Sequence, residues 1–165
     1  MTAMLASSLA VGIILGVATG GKLRRLQALP LRWIPLLLAI LAVRVIALVT
    51  PLPLGVFAAV LLATIAAAGA NAHLPGALAI AAGSLLNLFV VVLNGGMPVS
   101  EDAAAAAAAA THVGDGLHVP FSPATQVALL ADVIPVALFR SVYSVGDLVV
   151  AAGAFWLPFA WLRRT

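Results

Sequence analysis

Residues 90–102 read VVVLNGGMPVSED. An apolar run ends in Asn94-Gly95-Gly96, a proline follows, and two acids lead into eight consecutive alanines. Whether that run is the end of a membrane helix decides the fold, and composition answers it. The 165 residues are 64% hydrophobic and only 8% charged, with a mean hydropathy of +1.22. A soluble domain carries about a quarter of its residues as charges. This chain lacks that surface, so lipid must be much of its solvent. The break at Asn94 then marks the place where the chain leaves the membrane.

Working outward, five apolar segments stand out, at about residues 3–20, 33–50, 54–70, 76–94 and 146–162. Eighteen helical residues reach roughly 27 Å, close to the thickness of the hydrocarbon layer. In lipid the backbone must satisfy its own hydrogen bonds, so these segments are predicted helices. The fold class is therefore all-α: a polytopic bundle of five transmembrane helices forming a single membrane domain over residues 1–165. The first segment does not read as a signal peptide, whose charges precede the apolar stretch. Here Lys22, Arg24 and Arg25 follow it, which predicts a retained anchor of reversed orientation.

Orientation follows from the basic residues. Lys22, Arg24, Arg25 and Arg32 lie between the first two segments, and Arg163 and Arg164 come after the last. Both places are cytoplasmic if the N-terminus is outside, and five spans then put the C-terminus inside. The acids Glu101, Asp102, Asp115, Asp132 and Asp147 all fall on the outer side. Trp33 and Trp161 take the inner interface. The net charge of +3 is small and its cations flank apolar runs, which fits membrane orientation and not nucleic-acid binding. There is no cysteine, so disulfides, thiolate metal sites and cysteine nucleophiles are excluded. No motif implies a cofactor.

Gly12, Gly16 and Gly20 form a stripe that lets another helix of the bundle approach closely. The short connections TPLP (50–53) and NAHLP (71–75) make helices two, three and four antiparallel neighbours. Residues 95–145 are predicted to be a long outer loop, and loops of that length are usually functional or disordered. Within it, Ser100 can cap a short helix whose first turn holds Glu101 and Asp102 and whose alanines continue it toward Gly114 and Gly116. The remainder is apolar enough to lie on the membrane surface or tuck into the bundle mouth.

Some polar residues need a reason. Arg44 lies inside the second segment, where a charge costs roughly 2.5–3.5 kcal/mol. It either pairs with Asp132 or Asp147 or snorkels to the outer headgroups. Ser84, Asn87 and Asn94 share one face of the fourth helix and point inward, either to other helices or to a wet cavity. Asn94-Gly95-Gly96 also reads as a helix C-cap. His112, Asp115 and His118, in HVGDGLH, are ligand types for a metal such as zinc, but their spacing matches no strong motif and a solvated loop is the preferred account. His73, in a predicted inner loop, carries little information.

Asp132 in ALLADVIPVA and Asp147 in SVYSVGDLVV are acids bordered by apolar residues at one membrane face. Ser144 and Asp147 have capping-box spacing, and Asp132 could form a salt bridge to Arg140. The functional reading is a carboxylate dyad. Two close carboxyls in a poorly solvated site do not both ionise easily, so one keeps a proton. One can then activate water while the other protonates a carbonyl oxygen.

The pattern GSLLNLFVVVLNGGMPVS, HVPF, LLADVIPV, VYSVGDLVVAAGAFW resembles a family of small bacterial multi-pass membrane proteins of unknown function. The resemblance covers the second half of the chain and implies location in a bacterial cytoplasmic membrane. YSVGDLVVAAG is also similar to the final motif of lipoprotein signal peptidase (signal peptidase II). That motif runs aromatic, Asn, Val, Ala, catalytic Asp, and a Gly six residues on. Here Tyr143, Ser144, Val145, Gly146, Asp147 and Gly153 hold those places. The resemblance implies Asp147 as one catalytic acid and Asp132 as the upstream one. GSLLNL keeps the Gly of that family's preceding motif as Gly83, but has Ser84, Asn87 and Leu88 where it has Asn, Asp and Arg. The chain departs further in a much longer segment before Asp132, one extra helix, and no counterpart of that family's long first outer loop.

Two functions follow. The first is an outward-facing aspartyl hydrolase with Asp132 and Asp147 as the dyad. Arg44, Asn87, Asn94, Arg140 and Tyr143 are its candidates for binding substrate or tuning the acids, and the outer loop is its lid. The second is a non-enzymatic binding or accessory protein, whose outer loop docks a lipid, a membrane-embedded peptide or a protein partner.

Overall fold

The computed structural model describes residues 2–47, 49–109 and 116–164. It is mostly helical: α1 (Thr2–Ala18), α2 (Ile34–Ile46), α3 (Leu54–Ala70), α4 (Ala77–Asn94), the short α5 (Glu101–Ala106) and α6 (Val145–Leu162). The α4 and α6 helices are each 18 residues and apolar enough to cross a membrane, while α1, α2 and α3 are apolar but shorter. The α2 helix ends at Ile46 instead of reaching residue 50 and buries no residue. Pro51 and Pro53 follow, and a residue before proline is pushed out of the helical region.

The last helix is the central one. The α6 helix packs between α1 and α4, α3 lies along α4, and α2 touches α3 lightly. Close approach is made by glycines. A Cβ on Gly12 would strike the Phe155 carbonyl and lie 2.9 Å from Pro158 Cγ; one on Gly16 would lie 2.9 Å from Leu162 Cδ1. Gly20 has no neighbour and instead turns the chain at φ 93°, so the predicted stripe has two packing members. Between α4 and α6 two glycine pairs meet backbone to backbone, Gly83 against Gly146 and Gly76 against Gly153. Each helix carries its two glycines seven residues apart, about two turns, so the pairs sit on one seam.

The α1–α2 and α3–α4 connections are latched together by a side chain. Asn71, buried at the end of α3, accepts from the Arg32 amide (2.8 Å) and donates to the Arg32 and Ala67 carbonyls (3.0 and 2.8 Å). It thereby holds the α1–α2 connection against the α3–α4 turn. A hydrogen bond contributes about 0.5–1.5 kcal/mol, more when its loss strands a buried partner. We expect Asn71→Ala to lower stability by about 2–3 kcal/mol. Thermal unfolding in detergent checks this, and an unchanged midpoint would refute the latch.

The segment between α4 and α6 differs from the predicted loop. Two small sheets form there, parallel β1 (Met97–Val99) with β2 (His118–Pro120), and antiparallel β3 (Ile134–Val136) with β4 (Ser141–Tyr143). The chain is therefore not purely α. Strands of three residues are too short to show alternation, so the sequence carried no sign of them. Ser100 caps α5 as predicted, its side chain accepting from the Ala103 amide. The alanine run does not stay helical. Ala108 turns left-handed at φ 49° and the Ala109 amide closes on the Ala104 carbonyl. Ala103, Ala104 and Ala107 are buried and α5 packs on β3 and β4, where only small side chains fit.

Candidate functional site

The end of the α4–α6 seam at the start of α6 carries the polar residues. Ser144 is the N-cap of α6, and its Oγ accepts from the Asp147 amide at 3.0 Å. Its proton is then free for Asn87 Oδ1, 2.8 Å away on α4. That contact fixes the Asn87 amide, whose Nδ2 donates to Asp147 Oδ1 at 2.6 Å. The Ser144 amide in turn bears on the Asp147 carboxyl. Ser144, Asn87 and Asp147 thus form a closed ring, all buried. Gly146 makes room for it, since a Cβ there would strike Asn87 Oδ1. The capping box read from the sequence is present, and Asn87 is added to it from the neighbouring helix.

Asp132 arrives by another route. Gly95, left-handed at φ 67°, ends α4, and the chain runs into β1. The Asp132 amide donates to the Pro98 carbonyl at 2.9 Å, and its carbonyl accepts from the Ser100 amide at 3.0 Å, bridging Val99 in parallel. The Asn-Gly-Gly-Met-Pro break therefore builds the strand on which Asp132 hangs. Asn94 braces it: its Oδ1 accepts from the Gln126 amide (2.8 Å) and its Nδ2 donates to the Gln126 and Val90 carbonyls (3.1 and 2.9 Å). Asn94 is thus occupied as a clamp.

Asp132 is buried beside the ring, and its Oδ1 has no hydrogen-bond partner. Burial, reinforced by the Asp147 charge, holds its carboxyl well above the ordinary value of 3.8. No hydrogen bond joins the two acids among the described residues. The salt bridge to Arg140 is not formed. Arg140 is left-handed at φ 47° and its Nε donates to the Ala108 carbonyl at 3.3 Å, which is how α5 is tied to the β3–β4 turn. Arg44 bears electrostatically on Asp147 from α2, one of the two pairings its position allowed. Tyr143 ends β4 fully buried against Met4 and Ala151, with the Phe139 ring edge-on at 6.1 Å. Ser84 Oγ, one turn below Asn87, is buried without a partner.

The raised pKa of Asp132 has a sign that can be tested. A carboxyl raised on folding takes up a proton as the chain folds. Its contribution to stability is full below the ordinary carboxylate range and is lost as pH rises through the folded value. We expect the unfolding midpoint to fall with rising pH across that window, and Asp132→Asn to flatten the fall. Parallel slopes for the two proteins would contradict a buried, raised Asp132.

Of the predicted metal ligands, His112 and Asp115 lie outside the described residues. His118 pairs with Met97 in the β1–β2 ladder. Among the described residues no group of three His, Cys, Asp or Glu could hold a metal ion. Sequence reading placed Ser144 only as a cap and overlooked its bond to Asn87. It also missed the glycine seam, although the matching seven-residue spacing on both helices was there to be read.

A family model of unknown function, DUF5317, matches residues 22–159. The chain belongs to that family. The matched span takes in Arg44, Asn87, Asp132, Tyr143, Ser144 and Asp147, so the whole constellation lies within the DUF5317 region. No curated protein matches the chain, and no solved structure does. The likeness of residues 143–153 to lipoprotein signal peptidase rests on the motif itself.

Proposed function

We propose that this DUF5317 chain is a five-span membrane protein whose outer-side carboxyl pair, Asp132 and Asp147, hydrolyses an amide or ester in a membrane-embedded substrate. The observation that carries the proposal is the meeting of two buried acids from unrelated elements, one of them with an oxygen that has no hydrogen-bond partner among the described residues. Buried polar atoms are rarely left so without a use.

The membrane reading draws on the outward faces of the helices. Leu78 is 64% exposed, Val92 68% and Leu62 56%, on helices that otherwise pack closely. A soluble fold would cover such a surface. The inside position of the C-terminus is favoured because Lys22 and Arg25 meet the end of α6. The Lys22 amide and the Arg25 guanidinium both donate to the Leu162 carbonyl, at 3.1 and 2.9 Å.

In this reading Asp147 is the base. Its Oδ1 accepts from Asn87 Nδ2, and Arg44 lies within electrostatic reach. Asp132, whose carboxyl burial pushes up from its ordinary value, is the acid. A water molecule between them gives a proton to Asp147 while its oxygen bonds to the substrate carbonyl carbon. Asp132 protonates the carbonyl oxygen. The tetrahedral adduct then collapses: one hydroxyl returns its proton to Asp132 as the carbonyl re-forms, the C–N or C–O bond breaks, and the leaving group takes the proton held by Asp147.

The closed ring of Ser144, Asn87 and Asp147 favours the second reading, in which the acid pins α6 to α4 and the outer segment docks a lipid or protein partner. One comparison separates the two. Wild-type protein and Asp132→Asn are expressed at equal levels, and new N-termini in the membrane fraction are counted by mass spectrometry. Hydrolysis predicts termini that only the wild type produces. Identical sets would leave the binding reading.

A further inference from the structure

We propose that the inner end of the bundle is a preformed binding surface for the headgroups of acidic phospholipids. The inference rests on the membrane reading and is independent of hydrolysis. Six of the eight cations, Lys22, Arg24, Arg25, Arg32, Arg163 and Arg164, gather there. None of the four described acids, Glu101, Asp102, Asp132 and Asp147, shares that end, so the field is of one sign.

The surface is rigid. The 3-10 turn Leu23–Ala28 is held against the end of α6 by a reciprocal lock. Arg25 donates to the Leu162 carbonyl at 2.9 Å, and Trp161 Nε1 donates to the Arg25 carbonyl at 2.8 Å. The Asn71 latch fixes Arg32. Arg163 lies over the Phe159 ring at 5.0 Å and Arg164 over the Trp161 ring at 4.4 Å. Arg25 is consumed by the lock; the other five cations are exposed. Beside them Leu23 is 57% and Trp33 54% exposed.

This mixture selects the partner. The cations call for anions, and Leu23 and Trp33 call for hydrocarbon a few ångströms away. A nucleic acid or an acidic protein supplies the anions alone. An acidic phospholipid supplies both, and each cation near such a surface raises its local preference about fivefold.

The test uses the full chain in vesicles of neutral phosphatidylcholine doped with phosphatidylglycerol, and reads the lipids that stay bound by native mass spectrometry. We expect enrichment of the acidic lipid at low salt and its loss at about 0.5 M salt, where charges are screened within a few ångströms. The triple variant Lys22→Gln, Arg24→Gln, Arg32→Gln should lose at least about tenfold of the preference. The salt series needs no variant, so a folding defect cannot mask the answer. A chain that embeds but retains the two lipids equally overturns this inference only. Preferential capture of RNA or an acidic peptide from the same vesicles overturns it as well. A chain that stays in the aqueous phase ends the membrane reading itself.

Discussion

If the proposed hydrolysis holds, Asp147→Asn is expected to leave a folded protein whose turnover falls at least about 100-fold, the usual scale for losing a general base. The substitution is nearly isosteric and spares the interactions that hold the helix. Asparagine keeps the backbone amide that Ser144 Oγ accepts, and its Oδ1 can still receive Asn87 Nδ2. What it removes is the negative charge and the capacity to take a proton. Loss of membrane-protein processing with an unfolding midpoint within about 0.5 kcal/mol of wild type would match a catalytic acid. If Asp147→Asn also unfolds the chain, the acid serves as a cap and a helix pin, and hydrolysis has no base.

The second large effect is structural. Gly146→Ala should destabilise by about 3 kcal/mol or more, at the upper end of what overpacking costs. The new methyl would strike Asn87 Oδ1 and lie 2.7 Å from the Gly83 carbonyl. Neither can yield, because one belongs to the closed ring and the other to helix backbone. Gly55→Ala on α3 is the contrast. Its Cβ would meet nothing within 4 Å, and replacing a helical glycine there should stabilise by about 0.5–1 kcal/mol. Paired denaturation curves test both signs at once. Equal effects at the two positions would mean that the seam between α4 and α6 is looser than described.

Much of this was legible from residue type alone. Apolar runs bounded by Gly, Pro and Asn marked α3 and α4 almost to the residue, because periodic or continuous apolarity is the strongest local signal. Asp132 and Asp147 stood out because acids in apolar surroundings are costly. Their meeting place was less legible. Asp132 is positioned by a single parallel bridge to Val99, which no local pattern announces. Arg140 seemed a natural partner for Asp132, yet a left-handed backbone turns it to the Ala108 carbonyl. Asn94 looked like a candidate for substrate and proved to be a clamp. In each case the deciding contact spans dozens of residues, where sequence spacing says nothing about direction.

The central placement of α6 has a consequence for how the protein is made. Ribosomes deliver this helix after the five others described, yet it is the wedge that α1 and α4 are both notched to receive. Until it emerges, the notches at Gly12, Gly16, Gly76 and Gly83 have no helix to fill them, and Asn87 has neither Ser144 nor Asp147. The earlier helices therefore remain a loose, open clasp. The clasp closes only when α6 arrives, and Asp147 meets Asp132 at that same step.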